Sequence, residues 1–129
     1  MPITMFYAGL LAILFLALSV QTIRIRGKAG VNLGDGGNPA MLRIMRGHGN
    51  FAEYVPLILL LMALLEQQGR SATVLHGLGA TLLVARLVHG YTFAMTDKFL
   101  PGRVAGASLT LLVLGVAGFL CILGAWRAL

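Results

Sequence analysis

Four long, nearly continuous apolar stretches constrain this chain more than any other feature. A helix needs about 20 predominantly apolar residues to cross the hydrocarbon core of a bilayer, and these stretches approach or exceed that length. A soluble core of this size shows amphipathic periods instead. Of the 129 residues, 58% are hydrophobic and 11% charged, with a mean hydropathy of +0.88. Soluble domains carry about 25% charged residues, so water is the wrong solvent for this chain. Its length allows one domain, and residues 1–129 are read as a single all-α unit, a four-transmembrane-helix bundle.

The first span covers about 3–23 and carries no charge. It lacks the basic leader and small-residue cleavage site of a signal peptide and runs into Arg24-Ile25-Arg26-Gly27-Lys28, so it is a retained helix. Ala29 to Asn38 has the Gly, Asn and Asp content of a loop. The second helix, about 39–67, starts at Pro39, a residue suited to a first helical turn. Only Tyr54 to Leu65 is purely apolar there, about 18 Å of helix, so the polar half before it must carry the helix to the membrane boundary. The third helix covers about 71–96 and holds Arg86 and His89 deep within it. Asp97 to Gly102 reads as a tight turn, and the fourth helix covers about 103–126.

Ten Lys and Arg against four Asp and Glu give a net charge of +6. The basic residues flank apolar spans, so nucleic acid is not the partner they indicate. They act as topology signals and as binders of an anionic ligand or of lipid headgroups. One side of the bundle holds Arg24, Arg26, Lys28, Arg43, Arg46, Lys98 and Arg103, and the other holds Arg70 and Arg127. Basic loops remain cytoplasmic, which predicts both termini outside a bacterial inner membrane. Cys121 is the one cysteine, so no disulfide forms within the chain, and it reads as a small buried hydrophobe.

Three polar groups stand out. At 100° per residue, Arg43, Arg46, Asn50 and Glu53 fall within about 80° of one another on the second helix, with His48 pointing elsewhere. Glu53 abuts the apolar run, and ionisable groups at that depth usually face a bundle interior and suggest function. Arg86, His89 and Phe93 share a face of the third helix. Arg86 lies about 15 Å in from the helix end and needs a partner: either Glu53, in a structural bridge, or a ligand. Arg103 follows Pro101-Gly102 at the start of the fourth helix, where free N–H groups and the helix dipole favour an anion. It serves equally as a topology marker. Gly47, Gly49, Gly77, Gly79, Gly106, Gly115, Gly118 and Gly124 read as close-packing sites between membrane helices. His76 reads as incidental.

The block Arg46-Gly-His48-Gly-Asn50-Phe-Ala-Glu53-Tyr-Val-Pro56, followed by Arg86-Leu-Val-His89 and Pro101-Gly-Arg103, resembles the MAPEG family, the membrane-associated proteins of eicosanoid and glutathione metabolism. The resemblance covers essentially the whole chain, including Thr22 to Lys28, and the microsomal glutathione transferases are the nearest in kind. It implies a homotrimer of four-helix subunits with glutathione, as co-substrate, bound between neighbours near the cytoplasmic side. The matching positions are Arg24, Asn50, Glu53, His89 and Arg103, with Arg46 and Arg86 in the same binding set. Arg103 resembles the arginine that stabilises the glutathione thiolate, consistent with a nearby cation lowering a thiol pKa. Gly49, Phe93, Val104 and Ala107 depart from the residues of prostaglandin-synthase-like members, and Pro56 lies one residue closer to Glu53. A prostaglandin synthase activity is therefore not what the resemblance implies.

The resulting expectation is a membrane-bound glutathione transferase or peroxidase that conjugates or reduces lipophilic electrophiles partitioning from the bilayer. Its partners are further copies of itself and membrane lipid, and no metal is expected. The alternative is a non-catalytic member of the same family that binds a lipid. A solute transporter using Arg86 and Glu53 needs a continuous polar path, for which the outward halves of the four helices are too apolar.

Overall fold

Asn38 sets the start of the second helix. Its side-chain oxygen accepts from the backbone N–H of Ala40 at 2.9 Å and of Met41 at 3.1 Å, ahead of Pro39 in the first turn. Gly30, with φ +64°, ends the first helix in the left-handed conformation that glycine adopts without penalty. The computed structural model describes residues 1–96 and 100–127. Within them lie α1 (Pro2–Ala29), α2 (Pro39–Gln67), α3 (Ala72–Met95) and α4 (Leu100–Trp126). All four are long and apolar enough to cross a membrane.

Two boundaries differ from the sequence reading. The first helix does not stop at Ile23 but continues through the basic segment to Ala29, so Arg24, Arg26 and Lys28 sit on helical turns. There Arg26 donates to the carbonyls of Val31 and Gly34, tying the loop back onto the helix. The fourth helix includes Leu100 and Pro101, which places Arg103 in its first turn. Asp97 to Phe99, expected in the preceding turn, lie outside the described residues.

Helices α2 and α3 pack against each other as a central pair. α1 packs on both from one side and α4 on both from the other, and among the described residues α1 and α4 do not touch. The core stripe of α2 comprises Met41, Ile44, Gly47, Phe51, Val55, Ile58, Met62 and Leu65. This is the seven-residue repeat of a helix that meets neighbours along one seam. The outer flanks of α1 and α4 expose Phe6, Ile13, Leu16, Phe119 and Ile122, as a bilayer environment requires.

The glycines divide by what faces them. A Cβ on Gly106 would stand 2.6 Å from the His89 Cβ and 3.0 Å from the Ala85 carbonyl, and one on Gly47 would stand 2.7 Å from the Phe93 Cβ. Gly79 is covered by the Tyr7 ring and Gly124 by Gln68. These four are close-packing sites. Gly77, Gly115 and Gly118 face open space within the subunit, and Gly49 meets only Glu53 of its own helix, so these four do not pack helices together within one subunit.

The two ends of the bundle are fastened differently. At the end carrying Met1, the Glu66 carboxylate accepts from the backbone N–H of Ile3 at 2.9 Å and of Thr4 at 2.8 Å, capping α1 with a side chain of α2. His76 is not incidental: its Nδ1 lies 3.2 Å from the Tyr7 hydroxyl. Further along, His48 lies 3.0 Å from the Ser19 hydroxyl and stacks on Phe15, which stacks in turn on Phe51. His48 therefore fastens α2 to α1, on the side away from Asn50 and Glu53.

Candidate functional site

Arg86 is the largest fully buried side chain among the described residues, at 1% exposure. It projects from α3 toward α2 and α4. One guanidinium nitrogen donates to the Asn50 side-chain oxygen at 2.8 Å, and the other approaches the Gly106 carbonyl at 3.5 Å. That carbonyl also accepts from the Thr110 hydroxyl at 2.7 Å. The close approach at Gly106 brings the α4 backbone within reach of Arg86. Both acceptors are neutral, so the positive charge is held in place without being cancelled.

The Arg86–Glu53 bridge does not form. Glu53 is exposed on the single subunit. The helix geometry explains why: with 100° per residue, Glu53 lies about 160° from Phe51 and Val55, nearly opposite the core stripe of α2. Arg46 lies beside Glu53 on that outer side and is likewise exposed, whereas Asn50 stands at the edge nearer the core and is half-buried. The polar arc read from the sequence is thus split. Its inner edge meets Arg86, and its outer edge faces away from the subunit. Glu53 at this depth faces outward rather than into the bundle interior.

One turn along α3 from Arg86, His89 is 4% exposed and within electrostatic reach of both Arg86 and Arg103. Its ring lies 4.6 Å from that of Phe93. The Arg103 guanidinium carbon sits 4.7 Å above the centre of the same Phe93 ring, a cation–π contact. The ring therefore links the arginine of α4 to the histidine of α3. The sequence placed Phe93 on the same helix face as Arg86 and His89, but its contact with Arg103 was not legible there. Gly47, whose missing Cβ makes room for the Phe93 side chain, was the available signal.

Asn50, Arg86, His89 and Arg103 accordingly form one cluster on three helices, while Arg24, Arg46 and Glu53 point outward from the subunit. The recess beside the cluster, lined by Asn50, Tyr54, Ala107, Thr110 and Leu111, has a volume of about 40 Å³. A small-molecule site usually needs about 300 Å³ or more, so this space does not hold a peptide-sized ligand within one subunit. Among the described residues no three His, Cys, Asp or Glu side chains stand together as metal ligands. The cluster brings together two guanidiniums, an imidazole and an amide.

Four membrane-length helices enclosing a polar cluster near one end define a multi-pass integral membrane protein. The model of the MAPEG family matches residues 4–123, and the chain belongs to that family. It is 36% identical over 104 residues to the inner membrane protein YecN of Escherichia coli strain K12, an alignment that covers 81% of this chain and 78% of that protein. The protein of the same name from Escherichia coli O6:H1 strain CFT073 matches equally.

Proposed function

We propose that this protein is an inner-membrane glutathione transferase or peroxidase that acts as a homotrimer on lipophilic electrophiles. The observation that carries the reading is the division of the polar residues. Asn50, Arg86, His89 and Arg103 gather inside the subunit, while Arg24, Arg46 and Glu53 face out of it. The recess within one subunit is too small for glutathione, so the two sets serve one ligand where the outward set of one copy meets the inward set of the next. Glutathione carries two carboxylates and one ammonium, which suits several guanidiniums and one carboxylate. An inner-membrane location agrees with the relatives' description. Basic segments at the cluster end support a cytoplasmic position for that end, with both termini outside.

In this scheme Arg103 faces the thiol. Its charge favours the thiolate and so raises the fraction of nucleophile at neutral pH. The thiolate attacks the electrophilic carbon of a substrate arriving from the bilayer. Alternatively it attacks the terminal oxygen of a hydroperoxide, breaking the O–O bond to release the alcohol and form glutathione sulfenic acid, which a second glutathione converts to the disulfide with loss of water.

The test is turnover with a generic electrophile across pH, together with equilibrium glutathione binding. Arg103→Ala raises the bound thiol's pKa and lowers the rate while glutathione still binds, and Arg103→Lys restores only part because it lacks the planar fork of donors. An unchanged rate and pH profile in Arg103→Ala removes the role from this residue. Lipid binding without turnover in the unmutated protein replaces the enzyme by a lipid-binding member.

A further inference from the structure

The end of the bundle opposite the cluster carries two arginines that the proposed reaction does not use. Arg70, in the α2–α3 connection, and Arg127, just past α4, line an open pocket of about 360 Å³ together with Gln68, Gly69 and Gly124. Arg103 and Arg127 are 24 residues apart on α4, about 36 Å along the axis, so this pocket is separate from the cationic cluster. Arg70 is half-buried and anchored to α4 by donating to the Leu120 carbonyl at 3.4 Å. The nearest carboxylate along the chain, Glu66, is engaged by the backbone of Ile3 and Thr4.

A second feature lies deeper along α3 and α4. Between α3 and α4 runs an apolar groove of about 310 Å³ lined by Val74, Leu78, Thr81, Leu112 and Val116. It begins four residues past Arg70 on α3 and eight residues before Gly124 on α4. Arg127, whose N–H bonds to the Leu123 carbonyl in helical fashion, lies eleven residues from Val116 and so within about 20° of it around the helix. From Gly124 to Leu112 is about 18 Å along the axis, against about 15 Å for half of the hydrocarbon core. Trp126 is 79% exposed beside Arg127. Tryptophan concentrates at headgroup level, which fixes the depth of the pocket.

We propose that this pocket and groove bind one anionic phospholipid, with the phosphate diester on Arg70 and Arg127 and one acyl chain in the α3–α4 groove. Two guanidiniums suit a phosphate. The apolar groove below them, whose far end lies about one leaflet's depth from the pocket, selects a lipid rather than a free anion.

The experiment titrates the purified full-length protein in detergent with phosphatidylglycerol, with phosphatidylcholine of the same chains, and with glycerol 3-phosphate. Binding is read by native mass spectrometry. Phosphatidylglycerol binds preferentially. Arg127→Gln, at an exposed chain end where folding is not at risk, weakens it about fivefold, and Arg70→Gln with Arg127→Gln about 30-fold, as expected for about 1 kcal/mol per basic residue near anionic lipid. Gly77→Phe, placed where a Cβ meets nothing within 4 Å, fills the groove and weakens phosphatidylglycerol while leaving glycerol 3-phosphate unaffected. Equal binding of the two lipids, or unchanged binding in both arginine variants, overturns the proposal. So does glycerol 3-phosphate binding as tightly as the lipid, which assigns the pocket to a free anion. A change of oligomer mass in Gly77→Phe with no change in lipid binding assigns the groove to a second copy of the chain.

Discussion

Arg86 on α3 donates a 2.8 Å hydrogen bond to Asn50 on α2, while Glu53, three residues further along the same helix, faces out of the subunit. The buried cation is thus positioned by an amide, and the carboxylate is turned to the outside of the subunit. A buried charge held only by neutral acceptors is expensive, so its hydrogen bonds matter.

Removing the amide therefore strands the cation. Asn50→Leu destabilises the protein by about 2–3 kcal/mol, the scale for a hydrogen bond to a buried charged group, read by thermal unfolding in detergent. A double-mutant cycle of Asn50→Leu with Arg86→Leu shows a coupling of about 1–3 kcal/mol. The corresponding cycle between Glu53→Gln and Arg86→Leu shows a smaller one, and the reverse order would contradict the observed pairing.

The α3–α4 contact depends on one missing side chain. Gly106→Ala places a methyl group against the His89 Cβ and the Ala85 carbonyl, none of which is the free end of a flexible chain. Overpacking of this kind costs about 1–3 kcal/mol and lowers the unfolding temperature. Gly115→Ala, facing open space on the same helix, leaves that temperature unchanged or raises it.

Phe93 is the platform for Arg103. Phe93→Leu removes the ring face and with it about 0.5–2 kcal/mol of cation–π attraction. If Arg103 stabilises a bound thiolate, turnover falls by about 2- to 30-fold, with a smaller effect on glutathione affinity. Phe93→Tyr keeps the ring and most of the rate. Steady-state rates of both variants decide the matter, and equal losses in the two would remove the ring from the mechanism.

The proposed orientation has its own check. With Cys121 replaced by serine, a cysteine introduced at exposed Asn32 is protected from a membrane-impermeant thiol reagent in intact cells. One placed just before Pro2 is labelled. The opposite pattern inverts the topology.

Much of the architecture is a matter of solvent and is legible along the chain. Long apolar runs have no alternative to crossing the bilayer, and Asn38-Pro39 carries the chemistry of a helix start in its own side chains. The Arg46 to Pro56 block, Arg86-x-x-His89 and Pro101-Gly102-Arg103 identify the family, which the match over residues 4–123 shows. The pairing of Arg86 was less legible. Helical periodicity groups Arg43, Arg46, Asn50 and Glu53 on one arc but does not say which edge of the arc turns inward. A carboxylate looks the natural partner for a guanidinium when only charge is considered.

The sequence by itself determined the spans, their number, the basic bias of one end and the residues able to carry chemistry, because each is set by local composition and helical spacing. The tertiary structure decided which of those residues meet. The seam of α2 turns Asn50 toward Arg86 and Glu53 away, Gly106 brings the α4 backbone close enough to receive Arg86, and Phe93 joins His89 to Arg103. Glu66 closes the first turn of α1 across more than 60 residues of chain. Such contacts depend on the rotation and closeness of packed helices. Those follow from the summed fit of every side chain at the seam, not from any single residue's own preference.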